Sequence, residues 1–250
     1  MVANTMKLAT LKVSIVRDGN STYSLDVRSP AKWKELRDAD YGRNPETGDP
    51  FRMQTMPRAV RLANYGLTNR IQLVVQAVNR YWLSGNSLML WTPRGLYAID
   101  SPSQDIIAQL NVDNQKALQA IEQGLMARLG KKKKKGVVFS DAGDVRFTPL
   151  DKVRLGEQTA SRLAKNPGNI VFSGSVENAE LNAKTAELYR FKPTFYGVKD
   201  ENRLTLRVPA LVGNDGFDGR LIVYADGFGY YNGRYSFGAQ ETGLIQCKKF

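Results

Sequence analysis

The pattern of apolar, polar and turn-forming residues predicts two β-hairpins in the first hundred residues. Residues 8–28 alternate on both sides of a polar turn, with the period of two that a half-buried strand shows. Residues 87–100 contain two short apolar stretches on either side of a turn at 92–95, which predicts the second hairpin. Between the hairpins, the pattern predicts a short helix after Pro30 and a loop in the Gly- and Pro-rich stretch 42–50.

Two longer stretches carry helical spacing. Residues 57–83 place apolar side chains on one helical face, but the same residues also alternate as one face of a strand would. Both interpretations therefore stay open. Residues 113–129 form the clearest helix, because Asp113 can cap its first turn and its apolar residues recur at helical spacing. Arg128 and the lysines after it lie where the helix dipole is negative.

The second half of the chain is predicted to consist of short strands around one helix. Residues 155–168 predict the helix, and from Asn169 onward short apolar runs separated by turns predict a barrel- or sandwich-like module. The predicted fold class is α+β, with hairpins and one long helix in a mixed N-terminal half and a β-rich C-terminal half. The predicted division is 1–130, a Lys-rich linker or loop at 131–136, and 137–250, with one continuous domain as the alternative.

The charge balance points to a polyanionic partner. Lysine and arginine outnumber aspartate and glutamate by 36 to 24, which gives a formal net charge of +12. Such a surplus attracts polyanions, so nucleic acid is the first partner to expect and an anionic membrane surface the second. Neither a long apolar run nor an apolar signal core is present, so we expect no transmembrane span and no secretion. The expected location is the cytoplasm, the nucleoid or a virion.

The residue types present restrict the chemistry. The chain contains no histidine, which excludes a Ser-His-Asp triad and His-ligated metals. It also lacks the G-x-x-x-x-G-K-[ST] phosphate-binding loop. We therefore predict no enzymatic activity, no cofactor and no metal. A carboxylate- or metal-dependent nuclease is the alternative, because Asp141 with Asp144 and Asp215 with Asp218 are spaced three apart, although their glycine neighbours favour turns.

The arginines between residues 50 and 99 form the core of the candidate binding site. Between these positions the chain has no Asp, Glu or Lys, and its arginines alternate with aromatic residues. Guanidinium groups grip phosphate, and aromatic rings stack on unpaired bases. The candidate residues of this stretch are Arg52, Arg58, Arg61, Arg70, Arg80, Arg94, Tyr65, Tyr81 and Trp91.

Five consecutive lysines allow two interpretations. They form either a solvated linker, as charge runs usually do, or a loop that contacts phosphate without sequence preference. They complete the candidate site as Lys131, Lys132, Lys133, Lys134 and Lys135. The sequence thus predicts a non-enzymatic protein that binds single-stranded DNA or RNA by backbone neutralisation and aromatic stacking. The alternative is a structural subunit of a large viral or ribonucleoprotein assembly, and either protein could be a homo-oligomer.

Overall fold

A computed structural model describes residues 15–19, 21–25, 31–80, 82–188, 191–197, 200, 202–214, 220–227, 234–235 and 238–241. The helices are α1 (Trp33–Asp38), α2 (Met56–Thr68), α3 (Gln72–Arg80), α4 (Gln104–Ala108), α5 (Gln115–Arg128), α6 (Ala160–Ala164), α7 (Pro167–Ser173) and α8 (Val176–Leu188). The strands are β1 (Ile15–Arg17), β2 (Ser21–Ser24), β3 (Arg52–Met53), β4 (Trp82–Ser84), β5 (Ser87–Thr92), β6 (Gly95–Asp100), β7 (Leu129–Lys134), β8 (Val137–Ser140), β9 (Val145–Pro149), β10 (Gly156–Glu157), β11 (Lys192–Tyr196), β12 (Thr205–Asn214), β13 (Arg220–Gly227), β14 (Arg234–Tyr235) and β15 (Gly238–Glu241).

Within the described residues, eleven of these strands form one large sheet and four form a small one. The large sheet has the order β10-β11-β13-β12-β5-β6-β9-β8-β7, with β4 joined to β12 and β14 joined to β4. Its neighbours run antiparallel except for β11 with β13 and β4 with β14. The small sheet has the order β1-β2-β15-β3. Because β12 pairs with β5, the large sheet combines strands from both sides of the lysine run.

Helices cover both faces of the large sheet, and β5 shows how the sequence builds this arrangement. Leu88 and Leu90 share a core with α1, α4 and α5, whereas Met89 and Trp91 share a core with α2, α3, α7 and α8. Successive strand residues point to opposite faces. A strand that is covered on both faces therefore carries apolar residues at successive positions, as β5 does.

The predicted α+β class is confirmed, and β1–β2 and β5–β6 form the predicted hairpins. Residues 57–83 are helical as far as Arg80, in α2 and α3. These helices pack closely, because a Cβ on Gly66 would lie 2.4 Å from a methyl carbon of Val74. Arg70 reverses the chain between them in the left-handed region, with a φ of 55°.

Two predicted helix boundaries need correction. Asn114 rather than Asp113 caps α5, since its Oδ1 accepts a hydrogen bond from the Ala117 N–H at 3.1 Å. Pro167 begins α7 rather than ending a helix, because Asn166 caps that helix through the Gly168 N–H at 3.0 Å. Proline suits the first helical turn, where N–H groups have no helical partner.

The strands predicted from Asn169 onward are wrong as far as Leu188. These residues lie in α7 and α8. Several of the inward-facing residues of these helices are polar, among them Asn178, Asn182 and Thr185, so a search for apolar spacing misses the helical face.

The lysine run forms an edge strand rather than a linker or loop. Lys131–Lys134 lie in β7, at one end of the large sheet, and β7 pairs with β8. Lys135 and Gly136 make the turn between them, with φ angles of 50° and 83°. Two-residue hairpin turns of this kind need positive φ at both positions.

Candidate nucleic-acid interface

Helices α2 and α8 run in the same direction and begin next to each other. Near their starts, a Cβ on Gly174 would lie 2.5 Å from Pro57. Further along, Asn64 Nδ2 donates a hydrogen bond to the Thr185 hydroxyl at 3.0 Å. A cleft of about 440 Å³ opens beside the two starts. We call it the α2–α8 cleft; its charged lining residues are Arg58, Arg61, Asp100, Asp144 and Arg146.

Both helix starts add positive potential to the α2–α8 cleft. Each of the two helices has 13 residues, and the N-terminus of a helix carries a partial positive charge. Ser175 caps α8 by accepting a hydrogen bond from the Asn178 N–H at 3.1 Å. The Met56 N–H at the start of α2 donates to the Ser87 hydroxyl at 2.9 Å. Because the helices are parallel, their two dipoles act on the same place.

Arg146 lies behind the α2–α8 cleft and holds Asp100. Its guanidinium donates to the two Asp100 carboxylate oxygens at 2.6 and 3.0 Å. It also donates to the Val171 carbonyl at 2.8 Å and to the Gly143 carbonyl at 3.0 Å. The residue is only 1% exposed, so its charge is neutralised internally and its role here is structural.

Arg58 and Arg61, two of the predicted site residues, come together at the α2–α8 cleft. Arg61 is already held by an internal carboxylate, since its Nε lies 3.3 Å from Asp18 Oδ2 and it also donates to the Ser21 hydroxyl at 3.0 Å. Burial raises the pKa of the Tyr23 phenol above its usual range, and the Asp18 carboxylate raises it further. Tyr23 therefore stays protonated and donates to Asp18 at 2.7 Å.

Tyr65 lies beside Arg61. A second hollow of about 220 Å³ is lined by both residues, together with Asp18, Asn64 and Leu181. Since Arg61 lines this hollow and the α2–α8 cleft, the two openings adjoin. Tyr65 is half-buried, which leaves part of its ring for contact with a partner.

The lysine strand reaches the same end of α8. Lys134 forms an ion pair with Glu177, in the first turn of α8. The Lys134 ammonium holds the pKa of the Glu177 carboxyl down at about 2. Asp144, which lines the α2–α8 cleft, pairs in turn with Arg128, the last residue of α5, immediately before β7. Burial raises the pKa of the Asp144 carboxyl, but the Ser140 hydrogen bond and the Arg128 charge outweigh it, and the net direction is down.

The remaining lysines of the strand are exposed. Lys132 Nζ lies 6.0 Å from the centre of the Phe139 ring, a cation–π distance. Lys131, Lys132 and Lys133 form no ion pair within the described residues. Lys135 is also exposed, at the hairpin turn.

The structure does not bring the other predicted arginines to this surface. Arg52 is exposed on β3 of the small sheet and does not line the α2–α8 cleft. Arg70 lies in the turn beyond α2, whose last residue, Thr68, is about 15 Å along the helix axis from Arg58. Arg94 lies in the β5–β6 turn and contacts Met126 of α5, on the opposite face of the large sheet.

The predicted aromatic platform needs correction at Trp91. This side chain is 1% exposed and lies in the core against Gly197, where an added Cβ would lie 2.2 Å from its ring. It therefore cannot stack on a base. The side chain of Arg80, and Tyr81 entirely, lie outside the described part of the structure.

Sequence reasoning missed Arg128 and Glu177 as parts of this surface, and Arg146 as its support. Arg146 stands between Val145 and Phe147, so strand alternation would place it on a polar, solvent-facing side. The only available signal for Glu177 and Lys134 was their opposite charge, because the two residues are 43 positions apart.

Metal-binding clusters and membrane-spanning helices are both absent from the described residues. No cluster of three or more aspartate, glutamate or cysteine side chains that could hold a metal ion is present in the described part of the chain. No helix in the described ranges has the length and apolar character needed to cross a bilayer.

Comparison with known proteins shows the fold. No family model matches the chain, and no curated protein matches its sequence. A solved structure described as "Accommodation of massive sequence variation in Nanoarchaeota by the C-type lectin fold" matches 92% of this chain and 98% of its own, with a TM-score of 0.52 and 15% identity. At this identity the likeness concerns architecture alone: the chain shares the overall fold of a C-type lectin-like protein.

Proposed function

We propose that this protein binds nucleic acid, without enzymatic activity, along a surface that runs from Arg58 in the α2–α8 cleft to the lysine strand. The Lys134–Glu177 ion pair is the observation that supports this proposal most. It brings the lysine strand to the start of α8, where Ser175 and Asn178 line the same cleft as Arg58, although these segments are far apart in sequence.

Phosphate neutralisation provides most of the binding. The helix starts and the Arg58 guanidinium favour a phosphate in the α2–α8 cleft, and the lysines act as point charges along the neighbouring strand. Lysine contacts of this kind position the backbone without reading bases. Affinity is therefore expected to fall steeply with salt, by about 0.7 log units per log unit of salt for each phosphate contacted on a single strand.

Tyr65 supports the preference for unpaired bases. It lies next to Arg61 in the hollow that adjoins the α2–α8 cleft, so a base that follows a bound phosphate can reach its ring. Stacking on an aromatic side chain contributes about 1–3 kcal/mol per base. We expect Tyr65→Ala to weaken binding to a single strand more than binding to a duplex of the same length.

Binding of a fluorescent single-stranded oligonucleotide across a salt series tests the proposal. The variant carries Lys131→Glu, Lys132→Glu and Lys133→Glu, and its matched control carries Lys34→Glu, Arg70→Glu and Lys116→Glu. All six residues are exposed, and both variants change the net charge equally. The first variant is expected to lose the larger part of the affinity and to reduce the salt slope by about 2. Equal losses in both variants would mean that net charge, rather than this surface, attracts the nucleic acid.

Lysines on an edge strand commonly keep that strand from pairing with other chains. Charge reversal distinguishes this protective role from a role in nucleic-acid binding. Glutamates keep the edge charged, so the reversed variant should remain monodisperse. Replacement of the same lysines by threonine removes both functions. The mass of the wild-type protein in dilute solution tests the alternative of an assembly subunit, which predicts a large multimer.

The fold comparison favours a second candidate, a binding scaffold that tolerates sequence variation on its surface. The matched structure is described as accommodating massive sequence variation, and the match covers nearly the whole of both chains. Natural variants of this chain would then differ chiefly on one exposed surface and keep core residues such as Trp91 and Arg146. Variation spread evenly over the exposed surface would contradict this second candidate.

A further inference from the structure

A small pocket on the opposite face of the large sheet contains a buried carboxylate. The pocket measures about 230 Å³ and lies between the β5–β6 turn and α5. Its polar lining residues are Arg94, Gln119, Glu122 and Gln123. The three α5 residues lie at positions i, i+3 and i+4, so they project from one side of the helix.

Glu122 is only 7% exposed, and its Oε1 has no hydrogen-bond partner among the described residues. Burial raises the pKa of the Tyr97 phenol above its usual range, and the nearby Glu122 carboxylate raises it further, so the Tyr97 hydroxyl stays protonated beside that carboxylate. A buried carboxylate needs paired charge or donors to offset the loss of water. One oxygen of Glu122 therefore lacks the donor that its burial calls for.

Arg94 provides a positive charge in the same pocket, but it is not the missing hydrogen-bond donor to Glu122. The Arg94 Nη1 donates to the Met126 sulfur at 3.0 Å, a weak acceptor, and no ion pair joins Arg94 to Glu122 within the described residues. The turn that carries Arg94 is fixed, because the Thr92 hydroxyl accepts hydrogen bonds from the N–H groups of Arg94 and Gly95 at 3.2 and 3.1 Å. Arg94 is exposed and Glu122 is buried, so the guanidinium lies at the rim of the pocket and the carboxylate lies deeper.

We propose that this pocket binds a small zwitterion of the α-amino acid type, whose ammonium contacts Glu122 and whose carboxylate contacts Arg94. A lone ammonium would leave the guanidinium without an anionic partner, and a neutral polyol would leave both charges without one. Gln119 and Gln123 supply further amide donors and acceptors. The pocket volume restricts the ligand to small side chains. This inference does not depend on the proposed nucleic-acid surface, which lies on the other side of the sheet.

Calorimetric titration of the whole protein with glycine, alanine, serine and phenylalanine tests the proposal. Ethylamine and propionate, each carrying only one of the two charges, are the matched probes. The small amino acids are expected to bind saturably, and phenylalanine and both single-charge probes at least about tenfold more weakly. Absence of binding by all small amino acids would overturn the proposal, and so would binding of ethylamine as tight as that of alanine.

Variants of the two charged residues test whether the ligand binds in this pocket. Glu122→Gln and Arg94→Gln are each expected to weaken amino-acid binding on the order of 30-fold, whereas Glu187→Gln, an exposed glutamate at the end of α8, should leave it unchanged. Circular dichroism checks the fold of each variant. Arg94 is exposed, so we expect Arg94→Gln to fold normally. This variant therefore still tests the proposal if Glu122→Gln does not fold. Unchanged affinity in the folded Arg94→Gln variant would also overturn the proposal.

Discussion

Two nearby strands of the large sheet hold positive charge in opposite ways. Arg146 on β9 is 1% exposed, and its guanidinium donates to Asp100 and to two backbone carbonyls. The lysines of β7, with only β8 between, are all exposed. Burial decides the difference: a buried charge must be neutralised inside the fold, while an exposed charge stays available to a partner. The net charge calculated from the sequence counts buried, neutralised charges and exposed charges alike.

The largest effect is expected from Arg146→Ala. Removal of the guanidinium leaves Asp100 without its ion-pair partner, and breaking one side of such a buried pair costs about 3–5 kcal/mol of unfolding free energy. Chemical denaturation measures this loss. The double variant Arg146→Met with Asp100→Asn removes both charges and should recover much of it. Equal stability of Arg146→Ala and wild type would show that burial does not distinguish Arg146 from the lysines.

An intermediate effect is expected from Arg61→Ala. Its partner Asp18 has a side chain that is only 4% exposed, but that carboxylate keeps hydrogen bonds from the Tyr23 hydroxyl and the Ser21 N–H at 2.7 and 2.8 Å. The loss in unfolding free energy should therefore be about 1–3 kcal/mol, smaller than for Arg146. The control is Arg70→Ala, an exposed arginine at the other end of α2, which should change stability little. If Arg61→Ala lowers the free energy of unfolding no more than this control does, then the Arg61 guanidinium does not stabilise the buried Asp18 carboxylate.

The hairpin turn of the lysine strand should be improved by Lys135→Asn. Lys135 has a φ of 50°, in the left-handed region that asparagine adopts more readily than lysine. We expect a gain of about 0.5–1 kcal/mol in the free energy of unfolding, measured by denaturation. Lys133→Asn, within the strand rather than the turn, is the control and should not stabilise. A loss of stability with Lys135→Asn would contradict the turn geometry.

Local patterns predicted the hairpins, the long helix and the α+β class, but not which charges would be buried. The turn at 92–95 between two short apolar stretches identified β5 and β6, because the two strands are close in sequence. Four identical lysines have no alternation, so the lysine strand is recognisable only through its pairing with β8. Arg146 could be placed only with the knowledge that helices cover both faces of the sheet.

The predicted site residues do not all share one surface, for the same reason. Arg58 and Arg94 lie in one acid-free stretch of sequence, yet α2 and the β5–β6 turn take them to opposite sides of the sheet. Trp91 belongs to the core because it points to the face that α2 and α3 cover. Residue type and sequence neighbourhood identify candidate contacts, and only tertiary packing decides which of them share a surface.

The smallest effect on stability is expected at Lys134, where both partners of the ion pair are exposed. The pKa of the Glu177 carboxyl is about 2, against an ordinary value of 4.5. A lowered carboxyl pKa contributes stability that is complete above the ordinary value and is lost as the pH falls toward the folded value. In Lys134→Gln the pKa should rise toward 4.5, while unfolding free energy at neutral pH falls by no more than about 1 kcal/mol, because solvent screens an exposed pair. Titration of the Glu177 carboxyl by NMR measures the shift, and added salt should reduce it in the wild type. A Glu177 pKa that changes with neither the substitution nor the salt would show that Lys134 does not pair with Glu177. The lysine strand would then have no contact with the start of α8 through this pair.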